Sequence, residues 1–376
     1  MIRFKVGIPT TALEILLLVA IGLGLLALGR RLPVRNPYTW PALVFLIAAT
    51  LDVFFSPDRR AAAGIWKAYF VEPALAALVI AGLARSRSRV ILLLGSLAVA
   101  GMVIAVANLA ADLREVFAGT YNLVTPPVAI YQSANAIPLY LVPLDAVAFA
   151  FLLYSDDARE RVAAALFALV TALAVVFSLS RAGLVSLVVV AVFAGLFHRW
   201  RWRMLAGIGA GAAIGILAVP ALRRRLAVEL DPSDPNNTIR LRLSLWRASA
   251  DMLRHNPVFG GGLSGFSRSL DPYRDPTNAE RLIYPHNIVL NFWSETGLLG
   301  LAAFFWLCAS VVRASVPGIR AGSWVRVVSI GILGVLVAFG VHGLADVPYF
   351  KNDQALAFWA LLGIQLGAFG SREVSG

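Results

Sequence analysis

A histidine stands at the mouth of a long apolar segment. His286 follows Tyr284-Pro285 and precedes Asn287 and the apolar run 288–301. An imidazole gains and loses a proton near neutral pH, so a histidine here could accept the proton of a hydroxyl group. The competing interpretation is an interfacial histidine that caps a helix, and taken alone the residue fits that interpretation better.

Three arginines could add positive charge to the same chemistry. Arg181 lies between two apolar runs with almost no loop, and Arg240 and Arg242 lie in a polar segment. Guanidinium groups bind phosphate through two parallel hydrogen bonds and stay charged at any working pH. With a nearby proton acceptor, they favour chemistry on a lipid-linked phosphate. The alternatives are snorkelling to lipid headgroups for Arg181 and a solvated helix face for the other two.

The elements that carry these residues are predicted to be membrane helices. Hydrophobic residues make up 59% of the 376 residues and charged residues 14%, against about 25% charged in soluble domains. Repeated apolar runs predict an all-α, polytopic transmembrane helical bundle of about eleven spans. The predicted spans are 11–28, 39–55, 66–84, 90–108, 136–154, 161–179, 182–198, 204–220, 286–311, 326–345 and 354–370.

The basic residues indicate which side of the membrane each loop faces. The net charge is +12, and most Lys and Arg residues cluster at span ends, for example in residues 30–35 and 199–203. Anionic lipid and topology explain this clustering, so no nucleic-acid partner is expected. Short loops rich in Lys and Arg stay in the cytoplasm. We therefore expect Arg181, the segment 221–285 and His286 to face outward.

We expect one membrane domain over residues 1–376, with 221–285 as an extracytoplasmic loop between the eighth and ninth spans. Asn237 or Thr238 can cap a helix of about 16 residues in this loop. The helix is predicted to lie on the membrane surface through one stripe of residues. The stripe consists of Leu245, Trp246, Ser249, Met252 and Leu253. A turn at 260–262 could bind phosphate through backbone amides.

Metal and cofactor motifs are missing from the sequence. The chain has no Asp-x-Asp pattern, and its four histidines are not spaced as metal ligands. A diphosphate leaving group needs its developing negative charge stabilised, and fixed arginines could do this in a water-poor site. We therefore expect neither a metal site nor a cofactor.

Several motifs, in this order along most of the chain, resemble the O-antigen ligase and O-antigen polymerase family of bacterial envelope enzymes. The most specific is His286-Asn287 followed by Glu295-x-Gly297-x-x-Gly300-Leu301. The remaining motifs are Pro9-Thr10-Thr11-Ala12-Leu13-Glu14, Lys67-Ala68-Tyr69-Phe70-Val71-Glu72-Pro73, Ser180-Arg181-Ala182-Gly183, Arg242-x-x-x-Trp246, Asn256-Pro257-x-x-Gly260 and Asp346-Val347-Pro348.

The resemblance implies an inverting, metal-independent glycosyltransferase at the outer face of the bacterial cytoplasmic (inner) membrane. Its donor would be a glycan linked to undecaprenyl diphosphate, and its acceptor a hydroxyl group of a glycan or glycolipid. Carried over onto this sequence, His286 would activate or orient the acceptor hydroxyl, and Arg181 and Arg242 would bind the diphosphate. Arg240 is a rival for the role of Arg242. The supporting residues would be Asn287, Glu295, Trp246 and Asp346.

The family commonly has about twelve spans, one more than the predicted count. An odd number of spans with a cytoplasmic C-terminus puts Met1 outside, beside Arg3 and Lys5. This conflicts with the orientation rule for basic residues. Either a further span precedes the sequence or the count is wrong by one.

Two other functions remain open. A polymerase would use a second lipid-linked repeat unit as its acceptor, and the sequence does not separate it from a ligase. A transporter would show paired repeats and polar residues near the middle of the membrane. The chain shows no such repeat, and its candidate polar residues are predicted at the outer rim.

Overall fold

A computed structural model describes residues 3–4, 10–123, 125–218, 220–231, 233–234, 237–274, 282–320 and 324–370. Met1, Lys5 and Pro9, on which some sequence-based expectations fall, lie outside this part of the chain. Helices make up most of the described residues, as predicted. An antiparallel pair of two-residue strands, β1 (Arg3–Phe4) and β2 (Thr10–Thr11), is also present.

Fifteen α-helices follow one another in the described ranges. They are α1 (Ala12–Leu28), α2 (Thr39–Phe55), α3 (Arg59–Ile65), α4 (Glu72–Leu83), α5 (Arg87–Ala118), α6 (Ala136–Tyr154), α7 (Ala158–Phe177), α8 (Arg181–Leu196), α9 (Arg201–Ala218), α10 (Pro220–Leu230), α11 (Thr238–His255), α12 (Phe266–Leu270), α13 (Ile288–Arg320), α14 (Trp324–Gly343) and α15 (Asn352–Gly370). A π-helical segment, Trp66–Val71, joins α3 to α4.

Each predicted apolar segment coincides with a helix. Within the described ranges, six helices are long and apolar enough to cross a membrane. They are Arg59–Leu83, Arg87–Ala118, Ala136–Tyr154, Ala158–Phe177, Ile288–Arg320 and Trp324–Gly343. Two shorter apolar helices, Thr39–Phe55 and Arg181–Leu196, fall below that length. The helical membrane character is confirmed, whereas the number of spans and the sidedness of the 221–285 segment stay predictions.

The chain divides into two compact units. The first unit comprises Met1–Leu93, Leu241–Ala314 and Gly343–Gly376, and the second comprises Leu94–Arg240 and Ser315–His342. Each unit is therefore assembled from segments that are distant in sequence. In the first unit α15 packs along α4, and a Cβ atom on Gly363 would lie 2.5 Å from the Ala77 carbonyl oxygen. Only glycine allows these two helices to approach so closely.

An aromatic cluster fills the core of the first unit. The rings of Phe292 and Phe304, both on α13, stack with centroids 4.1 Å apart. Tyr349 lies against Phe292 at 5.2 Å, and Phe45 lies against Phe292 at 5.7 Å. Aromatic pairs at such separations stabilise a fold beyond the area they bury. The cluster ties α2 and α13 to the segment before α15.

Helix α6 forms the centre of the second unit, with α7 and α8 packed against it. Fourteen of its nineteen residues are buried. The buried carboxylate of Asp145 accepts a hydrogen bond of 2.5 Å from the hydroxyl of Thr171 on α7. At the end of α6, Ala150 packs with Val327 and Ile330. A helix that is apolar all round is expected in such an interior position.

Candidate functional site

The chain enters α13 through a strained turn that holds His286 outside the helix. His286 has a φ of +50°, in the left-handed region that few non-glycine residues adopt. The neighbouring Asn287 caps the helix, because its Oδ1 accepts hydrogen bonds from the backbone N–H groups of Val289 (3.0 Å) and Leu290 (3.1 Å). Asn287, and not His286, therefore caps this helix.

A buried carboxylate faces the imidazole. Nδ1 of His286 lies 3.4 Å from Oδ1 of Asp346, and their side chains are only 16% and 4% exposed. The two groups are at ion-pair distance but outside hydrogen-bond geometry, and Nδ1 has no hydrogen-bond partner among the residues that the structure describes. Oδ1 of Asp346 also accepts a hydrogen bond of 2.9 Å from the Val347 N–H group. The carboxylate is thus oriented by its own backbone.

Two aromatic residues hold the turn before the helix. The ring of Tyr284 lies 4.7 Å from the ring of His286, at an interplanar angle of 61°. Burial, with a further contribution from Asp346, raises the pKa of Tyr284 to about 12. The indole N–H of Trp246 donates a hydrogen bond of 2.9 Å to the carbonyl oxygen of Pro285. Trp246 thereby joins α11 to the residue that precedes the histidine.

Arg242 lies within the electrostatic reach of the same carboxylate. Burial lowers the pKa of Arg242, and the negative charge of Asp346 opposes that shift. A guanidinium stays protonated under such conditions, so the site holds a permanent positive charge. Arg240, two residues earlier on α11, has an exposed side chain. The two candidate arginines therefore differ in the structure. Arg242 is partly buried and within reach of the charge of Asp346, whereas Arg240 is exposed.

The segment that carries Asp346 is anchored to the early part of the chain. The hydroxyl of Tyr349 donates a hydrogen bond of 2.6 Å to the carbonyl oxygen of Tyr69, in the π-helical segment. The amide of Asn352 donates a hydrogen bond of 3.2 Å to Glu14 of α1, which lies 3.5 Å from the ammonium of Lys67. The two early motifs therefore fix the backbone on which the carboxylate is carried.

Glu295 and the glycine-rich turn have structural roles. The buried carboxylate of Glu295 accepts hydrogen bonds from the N–H groups of Ser264 and Phe266. At Gly297, α13 is interrupted by a φ of +61°, and a Cβ atom there would lie 2.2 Å from the carbonyl oxygen of Val258. Leu298 N–H bonds that same carbonyl at 2.9 Å. The break of α13 at Gly297 therefore packs against the backbone of Val258, just before the turn at residues 260–262.

The turn at residues 260–262, which the sequence offered as a weak candidate for phosphate binding, does not have free backbone amides. The N–H groups of Gly260, Gly261 and Gly262 donate to the backbone carbonyl oxygens of Asn256, Ser294 and Phe259 at 2.9, 2.8 and 3.1 Å. Backbone amides that are already bonded within the protein are not free to bind an anion.

The apolar stripe of α11 faces protein. The helix begins at Thr238, as predicted, and Asn237 caps it through a hydrogen bond of 3.0 Å from the Arg240 N–H group. Its stripe, however, is buried against other residues of the loop and of α13, namely Phe266, Leu270, Tyr273, Leu282, Leu290 and Trp293. The prediction that this stripe lies on the membrane surface is therefore wrong, because periodicity cannot tell a protein partner from lipid.

Arg181 is held by contacts within the second unit. Ser180 caps α8 by accepting the Gly183 N–H group at 3.3 Å, which puts Arg181 at the first helical position. The guanidinium forms an ion pair with Glu229 and a hydrogen bond of 3.2 Å to the Thr238 hydroxyl. The side chains of Arg181 and Glu229 are 28% and 8% exposed. The expected convergence of Arg181 with His286 stays a prediction.

Three polar contributors were missed as site residues by the sequence reasoning. Glu229 pairs with Arg181 and accepts the backbone N–H groups of Thr238 and Ile239 at 3.3 and 3.1 Å. Tyr284 contacts the imidazole. Burial lowers the pKa of Lys351, and the charge of Asp346 counteracts this. Lys351 lies close to the Asp346 motif in the sequence, and this proximity was the signal that could have identified it. No local sequence pattern marks Glu229 as the partner of Arg181.

No set of three or more His, Cys, Asp or Glu residues is arranged to hold a metal ion in the part of the chain that the structure describes. The polar groups collected around Asp346 are instead an imidazole and a guanidinium. This combination can accept a proton and bind an anion.

Comparison with known proteins agrees with this description. Residues 165–305 match the family model described as O-Antigen ligase, a range that includes Arg181, Arg242 and His286. The match confirms the resemblance to the O-antigen ligase and polymerase family and supports a membrane glycosyltransferase of ligase or polymerase type. The same match supports a role in polysaccharide biosynthesis. No curated protein matches the chain significantly.

The contact between Arg181 and Glu229 gives a testable prediction. We expect Arg181→Gln and Glu229→Gln each to lower the thermal unfolding temperature in detergent. Because each change removes the same ion pair, the double variant should be less destabilised than the sum. Contacting pairs of this kind have coupling energies of about 0.5–3 kcal/mol. A coupling indistinguishable from zero would show that the pair contributes nothing to stability.

Proposed function

We propose that this protein is an inverting, metal-independent glycosyltransferase. It transfers a glycan from undecaprenyl diphosphate to an acceptor hydroxyl group at the outer face of the bacterial cytoplasmic membrane. The observation that carries the proposal is the 3.4 Å separation of His286 Nδ1 and Asp346 Oδ1, with Arg242 coupled to the same carboxylate. A histidine that faces a buried carboxylate is the arrangement in which an imidazole serves as a general base.

The proposed reaction is a single displacement. The acceptor oxygen attacks the anomeric carbon from the face opposite the diphosphate, and the bond between that carbon and the diphosphate oxygen breaks. The hydroxyl proton passes to Nε2 of His286. Undecaprenyl diphosphate leaves with the bonding electron pair, and the configuration at the anomeric carbon is inverted. Attack by the acceptor itself requires no covalent enzyme intermediate.

Asp346 and Arg242 have opposite tasks in this scheme. The carboxylate of Asp346 stabilises the imidazolium that forms when His286 accepts the proton. The guanidinium of Arg242 binds the diphosphate while negative charge grows on its oxygen atoms. Fixed charges in a site with little water act more strongly than they would in solution. Trp246 and Asn287 position the histidine through the Pro285 carbonyl and the start of α13.

The remaining arginines keep their sequence-based assignments as proposals. Arg181 is assigned to diphosphate binding by the motif Ser180-Arg181-Ala182-Gly183, although its guanidinium is engaged by Glu229. Arg240 is the weaker candidate, since its side chain is exposed and its backbone N–H serves only the cap at Asn237.

A polymerase that joins lipid-linked repeat units is the second candidate, because the sequence motifs do not separate it from a ligase. The two are separated by incubating the purified protein, reconstituted in lipid nanodiscs, with lipid-linked repeat units alone. Ladders of increasing glycan length indicate a polymerase. A product that forms only after a second acceptor is added indicates a ligase. Failure of every donor and acceptor combination to give a product would favour the transporter alternative.

The histidine variants test the proton acceptor. We expect His286→Ala to fold and to lose transfer by about 10²–10⁴-fold, the usual contribution of one acid or base residue. His286→Asn should lose transfer activity to the same extent. Because asparagine tolerates the left-handed backbone at this position, backbone strain would not explain that loss. His255→Ala is the control, because His255 is exposed at the end of α11. Wild-type turnover in both His286 variants would refute the assignment.

The two neighbouring arginines provide a matched pair for the diphosphate. Arg242→Lys should reduce transfer at least about 10-fold, because lysine offers a point charge in place of a bidentate fork. Arg240→Lys, two residues away on the same helix, should keep transfer within about 2-fold. Initial rates with a fixed lipid-linked donor measure both. The reverse ranking would assign the diphosphate to Arg240.

A further inference from the structure

The first unit contains an apolar groove. It is a half-open cavity of about 280 Å³ between α2, α4 and α15. Its lining includes Ala42, Leu46, Leu78 and Leu366, and few polar groups reach it. Tyr38 also lines the groove, and its hydroxyl donates a hydrogen bond of 2.8 Å to Gln365. The shape and chemistry suit a hydrocarbon chain.

The groove lies away from the candidate site along α2 and along α15. On α2 the lining residues fall in the first half, from Thr39 to Leu46. The other end of α2 meets the glycine-rich turn, where Leu263 N–H bonds the Asp52 carbonyl oxygen at 3.2 Å. On α15 the lining residues run from Trp359 to Leu366, whereas Asp346 precedes the helix. Because α2 has 17 residues, its two ends are about 25 Å apart.

Several arginines lie in the chain segments next to the groove end at which α2 begins. Arg30, Arg31 and Arg35 are exposed in the segment that leads into the lining residues Val34 and Asn36. The guanidinium of Arg85 donates a hydrogen bond to the carbonyl oxygen of Arg31, which brings a second loop to the same place. Residues 29–38 and 83–89 contain no acidic side chain. The positive charge here is therefore not balanced by the segments that carry it.

We propose that this region is a binding site for one anionic glycerophospholipid, with an acyl chain in the groove and the phosphate on the arginines. Charge complementarity selects this occupant, because an apolar groove alone would accept any hydrocarbon chain. Basic residues at a membrane surface attract anionic lipid, and guanidinium groups bind phosphate in a bidentate manner. The site is separate from the proposed transfer chemistry, and its test does not depend on activity.

The test uses the full chain in detergent and counts bound lipid by native mass spectrometry. The two probes are palmitoyl-oleoyl phosphatidylglycerol and palmitoyl-oleoyl phosphatidylcholine, which share their acyl chains. We expect the wild type to retain the anionic lipid with a preference on the order of 5-fold or more. The combined variant Arg30→Gln, Arg31→Gln, Arg35→Gln should lose that preference. The control is the combined variant Arg199→Gln, Arg201→Gln, Arg203→Gln, which removes equal charge elsewhere and should retain it.

A second variant tests the groove itself. Ala42→Phe places a ring in the cavity from a half-buried position and should reduce retention of both lipids. Ala100→Phe, on an exposed part of α5, should bind as the wild type does. Thermal unfolding verifies that each variant is folded. The proposal is overturned if the arginine variant keeps the headgroup preference, or if Ala42→Phe retains as much lipid as Ala100→Phe.

Discussion

The carboxylate of Asp346 is the group on which the candidate site depends. It is almost fully buried, it lies 3.4 Å from the imidazole of His286, and its charge acts on Arg242, Tyr284 and Lys351. A buried carboxylate without cationic partners is costly. The surrounding positive and polar groups therefore stabilise Asp346, and its negative charge favours the protonated form of Arg242 beside the histidine.

The fold of the first unit serves to hold this carboxylate against the histidine. Tyr349 is tied to the π-helical segment, and Asn352 is tied to Glu14, so the segment between α14 and α15 has two fixed points. On the other side, Asn287 caps α13 and Trp246 binds the Pro285 carbonyl. The left-handed backbone at His286 is maintained by these contacts on both sides of it.

The sequence predicted the elements well because long apolar runs allow few structures other than helices. Motifs carried over from a family named Asp346 and Trp246 as supporting residues, and that role stays a prediction. It could not predict Glu229 as the partner of Arg181, because contacts between residues distant in sequence leave no local pattern. The stripe on α11 and the turn at 260–262 failed for a related reason. Amphipathicity and glycine content do not specify which partner, protein, lipid or phosphate, meets them.

The most direct test is the protonation pattern of the His286 ring. ¹⁵N NMR of histidine-labelled protein, assigned by comparison with His286→Asn, distinguishes the two neutral tautomers. An imidazole oriented by Asp346 should carry its proton on Nδ1 and leave Nε2 free to accept a proton from the acceptor hydroxyl. A neutral His286 with its proton on Nε2 would contradict the account, because neither ring nitrogen could then play the part assigned to it.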